Sequence, residues 1–400
     1  MHDITLITTL AGALGVALVL GALTRALKLS TLVGYLIAGV LVGPHTPGFV
    51  ADPKLAAQLA EVGVVLLMFG VGLHFHPEEL LRVWRIAVPG AIAQSAVAVA
   101  AGWALMRAFG WSNGAGLVIG MGLAVASTVV LMRMLDERGR LREPDGHVAV
   151  GWLIVEDILT VVALVLMPAL AAETATPLDA VIAAGEALAK VAAFAALAWL
   201  IGTRFISPLT ARVASTESTE LFTLTIFVVA LGVAAIAATL FHVSVALGAF
   251  LAGLVVGQGR AGRRAEQEIL PFRDVFAALF FVSVGMLFDP SLLLREPRIL
   301  VAALAIVLLV KPAVAWLVVR VLRGRPQTGR TVAVGLAQIG EFSFILASLA
   351  MSLGVLPNDG LDVLVAVALV SIAVNPLLFR LVKAPRDAPV FDGGAAQSRK

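Results

Sequence analysis

The chain of 400 residues is 60% hydrophobic and only 14% charged, whereas about a quarter of the residues in a soluble globular domain are charged. This composition excludes an ordinary soluble domain and indicates that lipid surrounds most of the chain. The net charge of +3, without any basic run interleaved with aromatic residues, argues against nucleic-acid binding, and the absence of cysteine excludes disulfides and thiolate metal sites.

Apolar runs of about 20 residues, separated by short polar gaps, predict an all-α polytopic membrane protein with thirteen transmembrane helices. The first run has no basic segment before it and is too long for a signal-peptide core, so we interpret it as a retained helix. The second and ninth runs are short and rich in glycine. Spans 1 to 13 cover residues 4–24, 31–44, 55–74, 86–108, 114–134, 147–170, 180–203, 219–240, 243–258, 272–288, 299–320, 329–352 and 361–380.

The Lys and Arg residues between the spans predict the orientation of the chain. With the N-terminus outside, 23 basic residues fall on the inner side and four on the outer side. Basic residues accumulate in the cytoplasmic connections of membrane helices. We therefore expect a multi-pass protein of the cell inner (plasma) membrane with its N-terminus outside and its C-terminus in the cytoplasm.

Two segments recur at nearly the same offset and predict an internal repeat. YLIAGVLVG at 35–43 resembles AFLAGLVVG at 249–257, and VGLHFHP at 71–77 resembles VGMLFDP at 284–290, with offsets of 214 and 213 residues. The repeat pairs spans 2–6 with spans 9–13. Because seven spans separate the starts of the halves, the repeat is inverted, as in many secondary transporters, whose sites lie near the bilayer midplane. Chance similarity of glycine-rich apolar helices is the alternative.

Span 6 carries two adjacent carboxylates, Glu156 and Asp157. A charged side chain at the bilayer centre costs about 2.5–3.5 kcal/mol, so this pair requires a reason to persist. We interpret Asp157 as a carrier that binds either a proton or a small hard cation. The alternative is a structural pair with a cation on a neighbouring helix. Adjacent residues of a helix point about 100° apart, so Glu156 stays open between a second ion site and a residue that faces away.

Spans 5 and 12, which the repeat pairs, both combine glycine with polar side chains in mid-span. This pattern is typical of a broken helix whose freed backbone groups line a cavity, and its carbonyl groups and half-helix ends would complete a cation shell beside Asp157. Small residues that permit close helix packing are the alternative. The polar residues are Ser127 and Thr128 in span 5, and Gln338, Glu341 and Ser343 in span 12.

Span 11 places Lys311 in mid-span, directly before Pro312, which interrupts the helical hydrogen-bond ladder. A lysine at this depth is the natural counter-charge for Asp157 or Glu156. Competition between the lysine and a cation for one carboxylate would couple proton release to ion binding. A fixed ion pair would only hold two helices together.

Several motifs of other membrane proteins are missing from the sequence. No Walker A sequence, no potassium-channel filter and no H-E-x-x-H motif occurs. Their absence argues against a primary pump, a potassium-channel pore and a membrane zinc protease. The sequence thus predicts neither an enzyme nor a cofactor.

Six motifs, in order along nearly all of the spans, resemble the monovalent cation:proton antiporter-2 family, in particular its Kef-type potassium/proton branch. They are GYLIAGVLVGP at 34–44, VGVVLLMFGVG at 62–72, ASTVV at 126–130, the Glu156–Asp157 pair, FFVSVGM at 280–286 and GEFSF at 340–344. The resemblance implies a sodium/proton-antiporter-like fold, in which two crossing discontinuous helices move against a dimerisation domain in an elevator-like cycle. It implies that Asp157 is the essential carboxylate, that Lys311 is the membrane lysine, and that the protein is a homodimer.

The chain departs from the Kef-type pattern in two places. Many Kef-type proteins have glutamine where this chain has Glu156, which leaves the choice of ion and the charge stoichiometry open. Kef-type proteins also usually continue into a cytoplasmic nucleotide-binding regulatory domain, whereas here only a polar segment follows the last span. Regulation is then absent, resides on a separate cytoplasmic subunit, or belongs to a longer chain.

The sequence therefore predicts a transmembrane cation/proton exchanger domain over residues 1–383 and a disordered cytoplasmic tail over residues 384–400. The predicted function is secondary active exchange of K⁺ or Na⁺ for H⁺ across the lipid bilayer by alternating access. The alternative is a ligand-gated potassium efflux channel on the same scaffold. The predicted ion and proton site comprises Asp157, Glu156, Ser127 and Thr128, with Lys311 and Glu341 as charge partners and Gln338 and Ser343 as polar residues of the broken helices.

Overall fold

The computed structural model describes residues 5–27, 29–46, 51–74, 77–140, 143–171, 177–241, 245–380 and 382. Within these ranges all regular structure is helical, which confirms the predicted all-α class. The segment 384–400, predicted as a disordered tail, lies outside the described residues. The helices are α1 Thr5–Ala26, α2 Thr31–Val42, α3 Pro53–His74, α4 Pro77–Ala108, α5 Asn113–Ala124, α6 Thr128–Glu137, α7 Pro144–Ala171, α8 Pro177–Ile201, α9 Ser207–Ala214, α10 Thr219–Leu240, α11 Val245–Gly257, α12 Gly262–Leu287, α13 Leu292–Arg295, α14 Pro297–Ala305, α15 Lys311–Val321, α16 Pro326–Gly335, α17 Glu341–Ser352 and α18 Asn358–Phe379, with π-helical segments at Gly202–Ile206 and Ile306–Val310.

Nine helical runs among the described residues are long and apolar enough to cross a membrane. Four shorter apolar helices, α2, α5, α11 and α17, accompany them. Each of these has 12 or 13 residues and is therefore about 18–20 Å long, less than the roughly 30 Å of the hydrocarbon core. The number of thirteen complete spans consequently stays a prediction, whereas the polytopic membrane architecture is clear.

Two helices are longer than the apolar runs predicted. Helix α4 begins at Pro77 rather than near residue 86, and α12 begins at Gly262 rather than near residue 272. Arg273 lies inside α12 and pairs with Asp274 at 2.9 Å. The predicted spans began too late because the first turns of both helices carry charged residues, which a helix tolerates where its end is solvated.

Close contacts between helices show the repeat in three dimensions. A Cβ atom added to Gly39 of α2 would lie 2.1 Å from the carbonyl oxygen of Val282 in α12. One added to Gly253 of α11 would lie 2.0 Å from the carbonyl oxygen of Phe69 in α3. The sequence offset of 213–214 converts the first pair of residues into the second. Glycine is needed at both places because any side chain would collide with the opposing backbone.

A second pair of contacts follows the same rule. A Cβ atom on Gly285 would lie 2.2 Å from the Leu36 carbonyl oxygen, and one on Gly72 would lie 2.1 Å from the Phe250 carbonyl oxygen. The offset of 213–214 residues again converts one contact into the other. This relation is expected if a pseudo-two-fold axis relates the α2–α12 pair to the α11–α3 pair. The contacts therefore agree with the predicted pairing of spans 2 and 3 with spans 9 and 10.

The helices pack as two bundles. The scaffold bundle consists of α1–α3 and α8–α12, and the site bundle consists of α4–α7 and α14–α18. In the site bundle α4 packs against α5 and α7, and α17 packs against α5, α7 and α18. The bundles touch where α7 packs against α8, where α18 packs against α2 and α12, and where the rings of Phe281 and Phe344 meet edge to face at 6.2 Å. Both discontinuous helices thus belong to one bundle.

Candidate functional site

The first discontinuous helix is interrupted between Ala124 and Thr128. Helix α5 ends at Ala124, and Val125 has an extended backbone with φ −82° and ψ 131°. Helix α6 begins at Thr128. The Ser127 hydroxyl accepts a hydrogen bond of 3.3 Å from the Val130 N–H and so caps the new helix. The break predicted in span 5 is present, and it lies at the predicted Ser127 and Thr128.

The second discontinuous helix is interrupted between Gly335 and Glu341. Gly340 has an extended backbone with φ −112° and ψ 178°, and α17 begins directly after it. A Cβ atom on Gly340 would lie 2.7 Å from the carbonyl oxygen of Ala126. Glycine therefore permits the two breaks to lie in direct backbone contact. The break predicted in span 12 is also present.

Hydrogen bonds join the two breaks where they cross. The Gly340 N–H donates to the Val125 carbonyl oxygen at 3.1 Å. The Ser127 N–H donates to Gln338 Oε1 at 2.9 Å, and Gln338 Nε2 donates back to the Ser127 carbonyl oxygen at 3.1 Å. Ser127 and Gln338 are fully buried. The Gln338 amide thus pairs with the Ser127 peptide through both of its polar atoms.

The two adjacent carboxylates of α7 bind different parts of the first break. Glu156 Oε2 accepts a hydrogen bond of 2.9 Å from the Ala126 N–H. Asp157 Oδ2 accepts one of 3.2 Å from the Thr128 hydroxyl. Both residues are buried, with 1% and 7% of their surface exposed. Glu156 therefore does not face away from the break, which the sequence had left open.

Glu341, the first residue of α17, lies beside these carboxylates and is 2% exposed. The charges that act on Asp157 come from Glu341 and Glu156, and no basic side chain among the described residues pairs with it. One oxygen of each carboxylate is buried and lacks a hydrogen-bond partner within the described ranges, namely Glu156 Oε1, Asp157 Oδ1 and Glu341 Oε2. Even so, no three His, Cys, Asp or Glu side chains of the described chain are grouped as a metal-ion site.

Lys311 reaches the second break from a distorted helix. The π-helical segment Ile306–Val310 precedes it, and the Lys311 N–H donates to the Ile306 carbonyl oxygen. Pro312 explains the distortion, because a proline cannot donate to the helical ladder and its ring crowds the preceding turn. The fully buried Lys311 Nζ donates to the Gln338 carbonyl oxygen at 3.0 Å. The carboxylate on which its charge acts is Glu156.

Gln94 of α4 is a polar residue of the site that the sequence analysis missed. Its Nε2 donates to the Ala124 carbonyl oxygen at 3.1 Å, and its Oε1 accepts from the Trp152 indole N–H at 3.1 Å. It is fully buried. Gln94 thereby satisfies a carbonyl at the end of α5 and fixes the turn of α7 that precedes Glu156. A buried amide in the middle of an apolar run was the available signal.

Two more side chains hold the half-helices in place. The Ser343 hydroxyl, predicted as a polar group of the broken helix, donates to the Gly122 carbonyl oxygen at 2.6 Å. Asn375 Nδ2 of α18 donates to the Val334 carbonyl oxygen near the end of α16 at 2.7 Å. The Gly122 carbonyl is one that a continuous helix would have paired internally, whereas the Val334 carbonyl also accepts the Ala337 N–H at 3.2 Å. The breaks are therefore supported on all sides by the site bundle.

A separate polar contact joins the bundles away from the breaks. Asp362 of α18 is 3% exposed, and its Oδ1 accepts a hydrogen bond of 2.8 Å from the N–H of Asp289, which follows α12. The N–H and hydroxyl of Ser291 donate to the Asp289 carboxylate and lower the pKa of that group, with a further contribution from Arg295. This turn of the scaffold bundle is therefore well defined where it meets the site bundle.

The chain matches the sequence profile described as "Sodium/hydrogen exchanger, transmembrane" over residues 14–382, which include both breaks and every candidate site residue. The chain belongs to the sodium/hydrogen exchanger family. This is a family of membrane transporters rather than of enzymes. Membership confirms the predicted class, a cation/proton antiporter with many membrane-spanning helices, and does not favour the channel alternative.

Individual relatives agree with this assignment. "Putative cation/proton antiporter YbaL" of Escherichia coli (strain K12) is 52% identical over 388 residues, which are 96% of this chain and 70% of that protein. "K(+) efflux antiporter 4" of Arabidopsis thaliana is 30% identical over 340 residues, which are 84% of this chain and 57% of that protein. The solved structure of the sodium proton antiporter MjNhaP1 from Methanocaldococcus jannaschii superimposes with a TM-score of 0.70, covers 95% of this chain and 97% of its own, and is 16% identical. It establishes the shared fold.

Proposed function

We propose that this exchanger-family protein exchanges K⁺ or Na⁺ for H⁺ by alternating access, and that Asp157 binds the cation and the proton in turn. The observation that carries the proposal is the environment of one oxygen atom, Asp157 Oδ1. This oxygen is buried beside the crossing of the two breaks, has no hydrogen-bond partner among the described residues and no basic side chain next to it. A carboxylate in that position requires a mobile positive charge.

The surroundings of Asp157 suit a monovalent cation. Alkali cations are hard ions that prefer oxygen ligands. The Thr128 hydroxyl lies 3.2 Å from Asp157, and the extended residues between α5 and α6 have carbonyl groups released from helical bonding. Helices α5 and α16 both end at the crossing, and the C-terminal end of a helix carries a partial negative charge. These groups would supply the remaining ligands around Asp157.

Antiport follows from the burial of Asp157. In an environment of low polarity a single carboxylate is stable when one positive charge neutralises it, and unstable with none or two. A bound proton therefore excludes the cation, and a bound cation excludes the proton. If the site moves between the two sides of the membrane only when Asp157 is neutralised, each cycle moves one ion in each direction.

Glu156 and Lys311 form the fixed charges of the site in this proposal. Glu156 accepts the Ala126 N–H, and the charge of Lys311 acts on it. The two groups neutralise each other, so that neither has to exchange its proton during transport. One cation is then exchanged for one proton, and the exchange is electroneutral.

The two bundles suggest how the site changes sides. We propose that the site bundle, which contains both breaks, moves relative to the scaffold bundle, and that the scaffold bundle forms a homodimer in the plasma membrane. The N-terminus lies outside and the C-terminus in the cytoplasm, as the distribution of basic residues indicates. A separate cytoplasmic subunit would supply regulation.

The proposal is tested with purified protein in proteoliposomes that contain a pH-sensitive dye. Vesicles loaded with K⁺ or Na⁺ are diluted into buffer that lacks both ions. A permeant lipophilic cation at equal concentration on both sides clamps the membrane potential. An electroneutral exchanger acidifies the interior as the cation leaves, even against an opposing pH gradient. A failure to acidify with either ion contradicts exchange. Acidification that disappears when the potential is clamped instead indicates a channel.

A further inference from the structure

The hydrogen bonds at the crossing of the two breaks depart from the symmetry of the repeat at one position. The offset of 213 residues pairs Ser127 with Gly340 and Val125 with Gln338. In one half, the Gly340 N–H donates to the Val125 carbonyl oxygen at 3.1 Å. The symmetric bond would join the Ser127 N–H to the Gln338 carbonyl oxygen.

That symmetric bond is replaced by two others. The Ser127 N–H donates instead to the side-chain Oε1 of Gln338 at 2.9 Å. The Gln338 carbonyl oxygen accepts Lys311 Nζ at 3.0 Å. Gln338 Nε2 also occupies the Ser127 carbonyl oxygen at 3.1 Å. All three residues are fully buried, so these bonds do not exchange freely with bulk water.

We propose that Gln338 is a positioning residue that couples the position of the charged Lys311 ammonium to the cation site, an inference that rests on the proposed function. While Lys311 holds the Gln338 carbonyl, the Gln338 side chain covers both polar atoms of the Ser127 peptide. When Lys311 withdraws from that carbonyl toward Glu156, the Ser127 N–H takes the carbonyl, as Gly340 does with Val125 in the other half. The Ser127 carbonyl oxygen is then released as a ligand beside Thr128 and Asp157.

The coupling is specific to one of the two side-chain contacts described above that join the half-helices. The Ser343 hydroxyl also crosses between them, to the Gly122 carbonyl oxygen at 2.6 Å, but it has no bond to Lys311. A residue that merely holds the breaks together would act as Ser343 does. Ser343→Ala is therefore the matched control for a change at Gln338.

The test measures the increase in melting temperature that K⁺ or Na⁺ causes in detergent, across a series of pH values, since this readout of binding does not require turnover. We expect Gln338→Leu to strengthen the apparent cation affinity about tenfold and to shift its pH dependence, because Gln338 Nε2 no longer occupies the Ser127 carbonyl oxygen. In a Lys311→Met background the same change should alter the affinity less than about twofold, since the coupled partner is already gone. Ser343→Ala should lower the melting temperature without shifting the pH dependence.

Gln338→Asn provides a second variant in case Gln338→Leu does not fold, because the shorter amide cannot reach both atoms of the Ser127 peptide. Any of three results would overturn the role of Gln338. The Gln338 change has equal effects with and without Lys311, it leaves the pH dependence of cation affinity unshifted, or Ser343→Ala shifts that pH dependence by the same amount. The same proteoliposome assay of the unmodified protein separates this result from the function itself. If the unmodified protein does not exchange the cation for protons, the proposed function is contradicted. If it does, and the effects of the Gln338 and Lys311 changes are additive, only the coupling is contradicted.

Discussion

The Ala126 N–H donates a hydrogen bond of 2.9 Å to Glu156, so the first of the two adjacent carboxylates is bound to the backbone of the broken helix. Among the described residues, the hydrogen-bond partner of its neighbour Asp157 is the Thr128 hydroxyl. Two carboxylates that are equivalent in the sequence thus have different surroundings. We therefore propose that Glu156 is a fixed part of the break and that Asp157 is the carboxylate available to ions.

Replacing Glu156 separates its charge from its hydrogen bond. Glu156→Gln keeps an oxygen that accepts the Ala126 N–H, so the break should persist and exchange should continue. Glu156→Ala leaves that buried N–H unpaired, which we expect to lower the free energy of unfolding by about 1–3 kcal/mol. Thermal unfolding in detergent and vesicle acidification measure the two effects. A complete loss of exchange in Glu156→Gln would show that Glu156 itself carries a proton or cation.

The Thr128 hydroxyl is expected to tune cation affinity without being essential. Thr128→Val preserves the shape of the side chain but removes the donor to Asp157 and a candidate cation ligand, and should weaken the cation affinity about fivefold. Thr128→Ser keeps the hydroxyl and should remain within about twofold of the unmodified protein. The cation concentration that gives half-maximal exchange is the measurement. Equal affinities in the valine and serine variants would remove Thr128 from the site.

The scaffold bundle depends on glycines at the close helix contacts. Gly39→Ala and Gly253→Ala each place a Cβ atom about 2 Å from an opposing carbonyl oxygen, so both variants should unfold at lower temperature. Gly232→Ala on α10 is the control, because its Cβ atom meets nothing within 4 Å. Melting temperatures in the same detergent compare the three. If Gly232→Ala destabilises as strongly as the other two, the contacts do not explain the effect.

Asp362 should protect the backbone amide of Asp289, in the turn that follows α12, from hydrogen exchange. Asp362→Ala removes the acceptor for the Asp289 N–H, and hydrogen exchange at that amide should accelerate about tenfold. Asp362→Asn retains an oxygen acceptor and should exchange nearly as the unmodified protein does. Hydrogen-exchange mass spectrometry of a peptide covering residues 286–296 measures this. Identical exchange in all three proteins would show that the bond does not persist.

The sequence was most informative where a membrane environment makes residues exceptional. Ionisable groups and glycine-hydroxyl clusters are costly in apolar spans, and they correctly marked α7 and both breaks. The repeat offset was readable because glycines at the contacts of α2, α3, α11 and α12 resist substitution by larger residues on steric grounds. These signals are local in the chain.

Partners distant in the chain could not be predicted in the same way. Gln94 lies 30 residues from the Ala124 carbonyl that it binds, and the amide alone does not reveal its acceptor. Lys311 was expected to face a carboxylate, but its direct hydrogen-bond partner is the Gln338 carbonyl oxygen, exposed only because the second helix breaks there. The roles proposed for these residues stay predictions until transport is measured.

The most direct test of the central claim compares Asp157→Asn with the unmodified protein in the proteoliposome assay. Asparagine preserves the size of the side chain and an oxygen for the Thr128 hydroxyl, but it cannot exchange a proton for a cation. We predict a folded protein that melts at the same or a higher temperature, because a buried charge has been removed, and that acidifies vesicles no faster than protein-free controls. Cation-driven acidification by Asp157→Asn at the unmodified rate, with K⁺ or with Na⁺, would contradict the assignment of Asp157 as the shared site.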